Sequence, residues 1–431
     1  MNQLQVWAPN ARSVELVTSD KQSFAPPVLL APATITYRGH NISGYWQTAQ
    51  GINVLQDGDG YWFRIVIENG ETRYRIDPYA RALRHSASWS IYKDPSRFQW
   101  ADAGHRPPPR GQMVVYQLFQ GAYMGRGDQN WTDRAGNNCH FTWGPTKKGD
   151  FVQLREKLDY IQSLGFNTIE LLPVNEYNGD DYIGYDSVSW FAIEASYGGV
   201  MGDGSSYDDL KAFIDDAHNR GISVIADVVF NHIGTVGDSG PLWNYDSTTQ
   251  NIYFSGEQAW NQAGGSFGMA PDWARWEVQK YIEDACRYYL EELHFDGLRF
   301  DFTSQIVNKN GGSGLIAAPR CCIGSSRASG PRIRKMCLCA SIGTTVPTPQ
   351  PLDDRLHRVR CRLAQLPTGT AEGAYSICAG DRGSSGLRYQ RWELPARAQP
   401  CDLREQPRRV LVGRQQPREQ VLPGLSVWLA R

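Results

Sequence analysis

Buried strand patterns alternating with amphipathic helical ones constrain this chain more than any other feature. Met113 to Leu118, Thr168 to Leu172, Ser223 to Val229 and Gly297 to Phe302 read as strands. Between them Phe151 to Leu164, Tyr207 to Arg220 and Ala274 to Leu293 place apolar residues at three- and four-residue spacing, the period of a helix with one buried face. That rhythm belongs to a parallel sheet with crossover helices. Residues 106–315 therefore fit the first four βα units of a TIM (β/α)8 barrel, with polar residues at the strand carboxyl ends, where such barrels build their sites.

The stretch before it has another period. Residues 1–105 alternate short apolar runs with turn residues, as in Val14-Glu15-Leu16-Val17 and Tyr61-Trp62-Phe63-Arg64-Ile65-Val66-Ile67. Period-two patterning with frequent turns predicts an immunoglobulin-like antiparallel β-sandwich. Gly104 to Gly111, with three consecutive prolines, reads as a linker. The overall class is all-β followed by α/β. A formal charge of -1 gives no reason to expect nucleic acid or an anionic membrane as partner. No basic region leads into an apolar stretch at the amino terminus and no long apolar run follows, so the expectation is a soluble, cytoplasmic protein.

Near Leu315 the character breaks. Residues 316–431 hold 18 Arg against one Lys, seven of the nine Cys, and neither Phe nor Asn, so they are expected to continue neither domain. No sustained helix or strand period is readable there. Cys321-Cys322 and Cys337-Leu-Cys339 lack the paired spacing of a structural zinc site.

Asp227-Val228-Val229-Phe230-Asn231-His232 ends the third barrel strand, and Gly297-Leu298-Arg299-Phe300-Asp301-Phe302 ends the fourth. Together these resemble the first two signatures of the α-amylase superfamily of glycoside hydrolases (family 13). Gly184-Tyr185-Asp186 resembles the family's loop after the second strand. Val6-Trp7-Ala8-Pro9 and Tyr74-Arg75-Ile76-Asp77-Pro78-Tyr79-Ala80 look like the carbohydrate-binding-module-like sandwich that precedes the barrel in glycogen branching enzymes and their relatives. The resemblance implies Asp301 as catalytic nucleophile of a retaining mechanism, with Tyr185, Asp227, His232 and Arg299 as substrate-binding residues. Arg299, two residues before Asp301 and on the same strand face, is expected to keep that carboxylate ionised; Asn231 is expected to be structural, and Trp190 and Phe191 core. Some relatives bind calcium near the position of Asn231, but no cluster of oxygen ligands is readable, so no metal or other cofactor is expected. The implied partner is an α-1,4-glucan such as glycogen or a maltooligosaccharide.

Departures matter as much. The family's general acid, a Glu ending the fifth strand, and its second Asp after the seventh find no counterpart in the tail. Ser304-Gln305 stand where amylases often have a Lys-His pair, which tilts the resemblance toward branching or debranching enzymes. We therefore expect an α-glucan branching enzyme by ancestry, inactive in this form. Alternatives are a maltooligosyltrehalose trehalohydrolase or debranching hydrolase, or a noncatalytic glucan-binding protein using Trp7, Tyr61 and Trp62. Reading the third base of each codon with the first two of the next across Lys335 to Thr345, permitted codons spell Asp-Val-Phe-Val-Cys-Glu-His-Trp-Asp-Asp. That is a strand ending in Glu, so 316–431 is expected to be an out-of-frame translation.

Overall fold

The computed structural model describes residues 3–49, 54–86, 88–123, 130–132, 138–140, 149–179, 183–234, 240–260, 266–302, 336–341, 361–363 and 374–378. The chain divides into one compact unit, residues 1–378 with 427–431, and a second, 379–426, that lies outside the described residues.

The sandwich forms as its alternation demands. Strands β1 (Gln5–Trp7), β4 (Ala31–Tyr37) and β5 (His40–Gln47) make one antiparallel sheet. The other contains β2 (Ala11–Thr18), β3 (Ser23–Leu29), β6 (Gly60–Ile67), β7 (Thr72–Arg75), β8 (Ala82–Leu83) and β9 (Ser90–Ile91). On β6, Tyr61, Phe63, Ile65 and Ile67 are buried while the intervening residues are half-exposed, so a single strand supplies four core side chains at period two. Trp7 and Tyr61 are core residues, 5% and 1% exposed, and half-buried Trp62 packs against Ile76, Ala80, Leu83 and Ala192. The aromatics considered for glucan binding are thus largely occupied by packing.

The second region is a parallel sheet. β10 (Val115–Leu118) pairs with β13 (Thr168–Leu171), β13 with β14 (Ser223–Val228), and β14 with β17 (Gly297–Phe300), all parallel. Between β10 and β13 lie α1 (Gln120–Tyr123), the hairpin β11 (Asn130–Thr132) and β12 (Asn138–His140), and helices α2 (Phe151–Arg155) and α3 (Leu158–Ser163). The expected single helix over 151–164 is thus two short ones; an Asp150 and Gln153 capping box starts the first. α4 (Ser205–Asn219) buries Tyr207, Leu210, Phe213, Ile214 and Ala217 on one face. The hairpin β15 (Phe254–Trp260) and β16 (Ser266–Pro271) and helix α5 (Trp276–Arg287) precede β17. All six residues of β14 are buried, as a strand covered on both faces requires.

The tail also supplies three described strands. β18 (Met336–Ser341) pairs parallel with β17, and β20 (Ala374–Cys378) and β19 (Cys361–Leu363) extend the sheet antiparallel. Main-chain hydrogen bonds to the open edge of β17 need no side-chain period, which is why these strands are invisible to pattern reading. The rest of 316–431 lies outside the described residues.

Sandwich and half-barrel share one apolar cluster running from Val6 to Phe300. A turn of π-helix, Tyr288–Glu292, follows α5 and brings Glu292 to a bidentate pair with Arg81 at 3.0 and 2.8 Å, while the Tyr207 hydroxyl donates to the same carboxylate at 2.8 Å. No helix among the described residues is long and apolar enough to cross a membrane.

Candidate active site

Strand register sets the site. Asp227 on β14 lies directly beside Arg299 on β17, so their side chains leave the same face of the sheet at its carboxyl end. Arg299 Nη1 donates to Asp227 Oδ2 at 2.6 Å and to Asp301 Oδ1 at 2.9 Å, one nitrogen bridging two carboxylates. The Tyr185 hydroxyl donates to the same Asp227 Oδ2 at 2.6 Å. One strand pair deeper, Gln117 donates to Glu170 at 2.8 Å.

Tyr185, Asp227, Arg299 and Asp301 therefore form one hydrogen-bonded group. Tyr185 is held by the turn before it, where Gly184 takes φ +92° and an added Cβ would lie 2.5 Å from the Pro173 carbonyl oxygen. Tyr185 remains half-buried. His232 is set deeper, 4% exposed, with Nδ1 against Asn231 Oδ1 and its ring edge beside the backbone of Gly268; it hydrogen-bonds the Tyr185 backbone. Burial lowers its imidazole to about 4, so near neutral pH it is uncharged.

Two contacts add to what the sequence implied. Asn231 does more than support the loop: Nδ2 donates to Asp301 at the backbone oxygen, 3.1 Å, and at Oδ2, 3.2 Å. Its amide thus spans Asp301 and His232, a contact across 70 positions that no local motif announces. Arg299 acts on Asp301 in the expected direction, favouring the ionised form, but burial is the stronger influence and the net shift is upward. Burial is the largest influence on both carboxyl groups and raises both, Asp227 to about 7, against the lowering effect of Arg299. Removing a carboxylate from water outweighs a single guanidinium divided between two of them. Asp227 Oδ1 is buried without a hydrogen-bond partner, so nothing offsets its desolvation at that oxygen.

Residues 2–80 match the family model described as carbohydrate-binding module 48 (isoamylase N-terminal domain), and residues 95–240 the one described as alpha amylase, catalytic domain. The chain is thus similar to an α-amylase catalytic domain over about a third of its length and to a carbohydrate-binding module 48 over about a fifth. Tyr185, Asp227 and His232 fall inside the matched stretch of the catalytic model, and Arg299 and Asp301 beyond it. Proteins similar to this chain include the malto-oligosyltrehalose trehalohydrolase of Arthrobacter ramosus, 29% identical over 69% of this chain and 42% of that protein. The 1,4-alpha-glucan branching enzyme GlgB of Shewanella frigidimarina is 29% identical over 70% of this chain and 37% of that protein. The chain spans less than half the length of these curated relatives. In fold it resembles the pullulanase of Bacillus acidopullulyticus, with TM-score 0.56 and 22% identity over 78% of this chain and 40% of that one.

Proposed function

We propose that this chain derives from an α-1,4-glucan-active enzyme working by a retaining route, and that in its present form it recognises glucan without turning it over. The observation that carries the reading is the single Arg299 nitrogen bridging Asp227 and Asp301 at adjacent strand ends. In the retaining reaction Asp301 Oδ attacks the anomeric carbon while an acid on the opposite side protonates the departing glycosidic oxygen; water or a sugar hydroxyl then releases the glycosyl group. Asp301 is the nucleophile, Asp227 and His232 hydrogen-bond sugar hydroxyls, and Tyr185 offers a ring face to the sugar.

The missing part is the acid. β18 occupies the fifth position in the sheet, and its sequence, Met336-Cys337-Leu338-Cys339-Ala340-Ser341, contains no carboxylate. A strand ending in Glu is available in another reading frame over the same codons, which supports 316–431 as an out-of-frame translation. Branching is the first reading for the intact enzyme, on the Ser304-Gln305 departure; trehalohydrolase activity is the second, because relatives so named stand at the same identity.

The test has two parts. The purified chain incubated with maltooligosaccharides and amylose is expected to produce no new reducing ends, disaccharide or α-1,6 linkages. Restoring the alternative frame in the coding DNA is expected to give turnover that Asp301→Asn abolishes, with product analysis separating branching from hydrolysis. Turnover by the unrestored chain, lost in Asp301→Asn, would overturn the proposed inactivity.

A further inference from the structure

At the opposite, amino-terminal end of the same strands lies a second polar cluster that glucan chemistry does not use. His105 comes from the segment before β10, His218 from the last turn of α4, and Asp296 immediately precedes β17. Their side chains are 6%, 2% and 8% exposed. His105 Nε2 stands 3.2 Å from Asp296 Oδ1 and His218 Nε2 3.0 Å from Asp296 Oδ2, and the two rings stack 3.9 Å apart at 2°.

We propose that His105, His218 and Asp296 form a binding site for one divalent transition-metal ion, with zinc the best match. Two imidazoles and a carboxylate suit that ion, and their donor atoms all lie within 4.8 Å of one another. Donors around a tetrahedral zinc with bonds of about 2.0–2.1 Å stand about 3.3 Å apart along each edge. The separations of 3.2 Å from His105 Nε2 to Asp296 Oδ1 and 3.0 Å from His218 Nε2 to Asp296 Oδ2 are each close to that edge length, so the ion enters with a turn of the carboxylate that offers one oxygen between the two nitrogens and a tilt of one ring out of the stack.

The surroundings fit ligation as well. His218 Nδ1 hydrogen-bonds Asp102 Oδ2 at 2.9 Å, and Asp102 also meets His294 Nδ1 at 2.7 Å. A carboxylate on the far nitrogen of an imidazole fixes the ring's orientation and leaves Nε2 as the metal-binding atom. Asp296 Oδ2 is held by the Val224 N–H at 2.8 Å, and Ser223 Oγ lies 3.3 Å from His105 Nε2. In the metal-free state a proton occupies the His218 Nε2 to Asp296 bond; binding exchanges that proton for the ion, so one divalent ion enters as at least one proton leaves. The bound ion ties the segment carrying His105 to the floor of the sheet.

Full-length protein treated with chelator and then titrated with cobalt(II) tests this directly. The expected result is one ion per chain, visible absorption bands of a tetrahedral nitrogen and oxygen site, and a zinc-dependent rise in melting temperature. His105→Ala is expected to abolish the bands. Asp102→Asn, which leaves all three ligands in place, is expected to weaken zinc binding roughly 10–100-fold. Absence of cobalt bands and of a zinc-dependent melting shift, or equal binding by the wild type and His105→Ala, would overturn the proposal and leave the cluster a network of hydrogen bonds and ion pairs.

Discussion

At the scale of single residues, the energetics of the candidate site are set by burial acting against one shared cation. Asp227, fully buried, is pushed up to about 7, while Asp77 and Asp186 are pushed to about 6 by the same cause. A carboxyl group whose pKa is higher folded than unfolded adds stability at low pH. That contribution is complete below the unfolded value of about 3.9 and disappears as pH rises through the folded value. These groups therefore make the protein lose stability between about pH 4 and pH 7, with the part nearest pH 7 belonging to Asp227. A tenfold change in a carboxyl group's acidity on folding is worth about 1.4 kcal/mol, so the whole effect of Asp227 is on the order of a few kcal/mol. Asp227→Asn is expected to flatten the fall between pH 6 and pH 7, measured by urea denaturation at each pH. An unchanged slope would mean that Asp227 is already ionised in the folded protein. Asp296, held down at about 2, titrates below this window; His232, lowered to about 4, and His218, raised to about 9, titrate around it in wild type and variant alike, so the difference between the two at each pH isolates Asp227.

At the scale of elements, the turn before Tyr185 is the most exacting local structure near the site. Gly184 combines a left-handed φ of +92° with a would-be Cβ contact to the Pro173 carbonyl oxygen at 2.5 Å, whereas Gly39 at φ +83° has nothing within 4 Å. Gly39→Ala is expected to cost roughly 1 kcal/mol for its backbone conformation alone. Gly184→Ala is expected to cost about 1–3 kcal/mol and to displace the Tyr185 hydroxyl from Asp227. Denaturation midpoints of the two variants decide the point; equal losses would show that the Pro173 contact relaxes freely. Most elements were legible. The four barrel strands and α4 appear within a few residues of their expected bounds, because fully buried strands and one-faced helices write their environment into their own period. The strands β18 to β20 were not legible, since their pairing depends on the edge that β17 presents.

At the scale of the whole molecule, sandwich and half-barrel are joined by groups that are polar in the sequence and buried in the fold. Tyr245 and Tyr281 donate to the carbonyl oxygens of Ile76 and Pro78, Tyr253 meets Trp7 edge-on at 5.5 Å, and Arg81 pairs with Glu292 through Nε and Nη2. Such an interface couples the two regions thermodynamically. Arg81→Ala leaves Glu292 partly buried beside Tyr207 and is expected to cost toward the lower end of about 3–5 kcal/mol, the pair being about one-fifth exposed. The expected signature in calorimetry of the full chain is one transition covering both regions and moving as a whole. Separate transitions, of which only one moves, would show that the sandwich unfolds independently.

The sequence by itself determined the two architectures and most of the site. Period two up to about residue 100 and strand–helix alternation after it are local records of which side chains face a core, and Asp227, Arg299 and Asp301 sit at the ends of strands whose boundaries those records mark. Tertiary structure alone decided how the groups act on one another. It placed Asn231 on the carboxylate of Asp301, divided Arg299 between two carboxyl groups so that burial prevails over ion pairing, and gathered His105, His218 and Asp296 beneath the sheet. Each of these depends on distance and desolvation between residues about 70 or more positions apart, or on how deeply a strand end is covered. Neither quantity is contained in the identity or spacing of the residues along the chain.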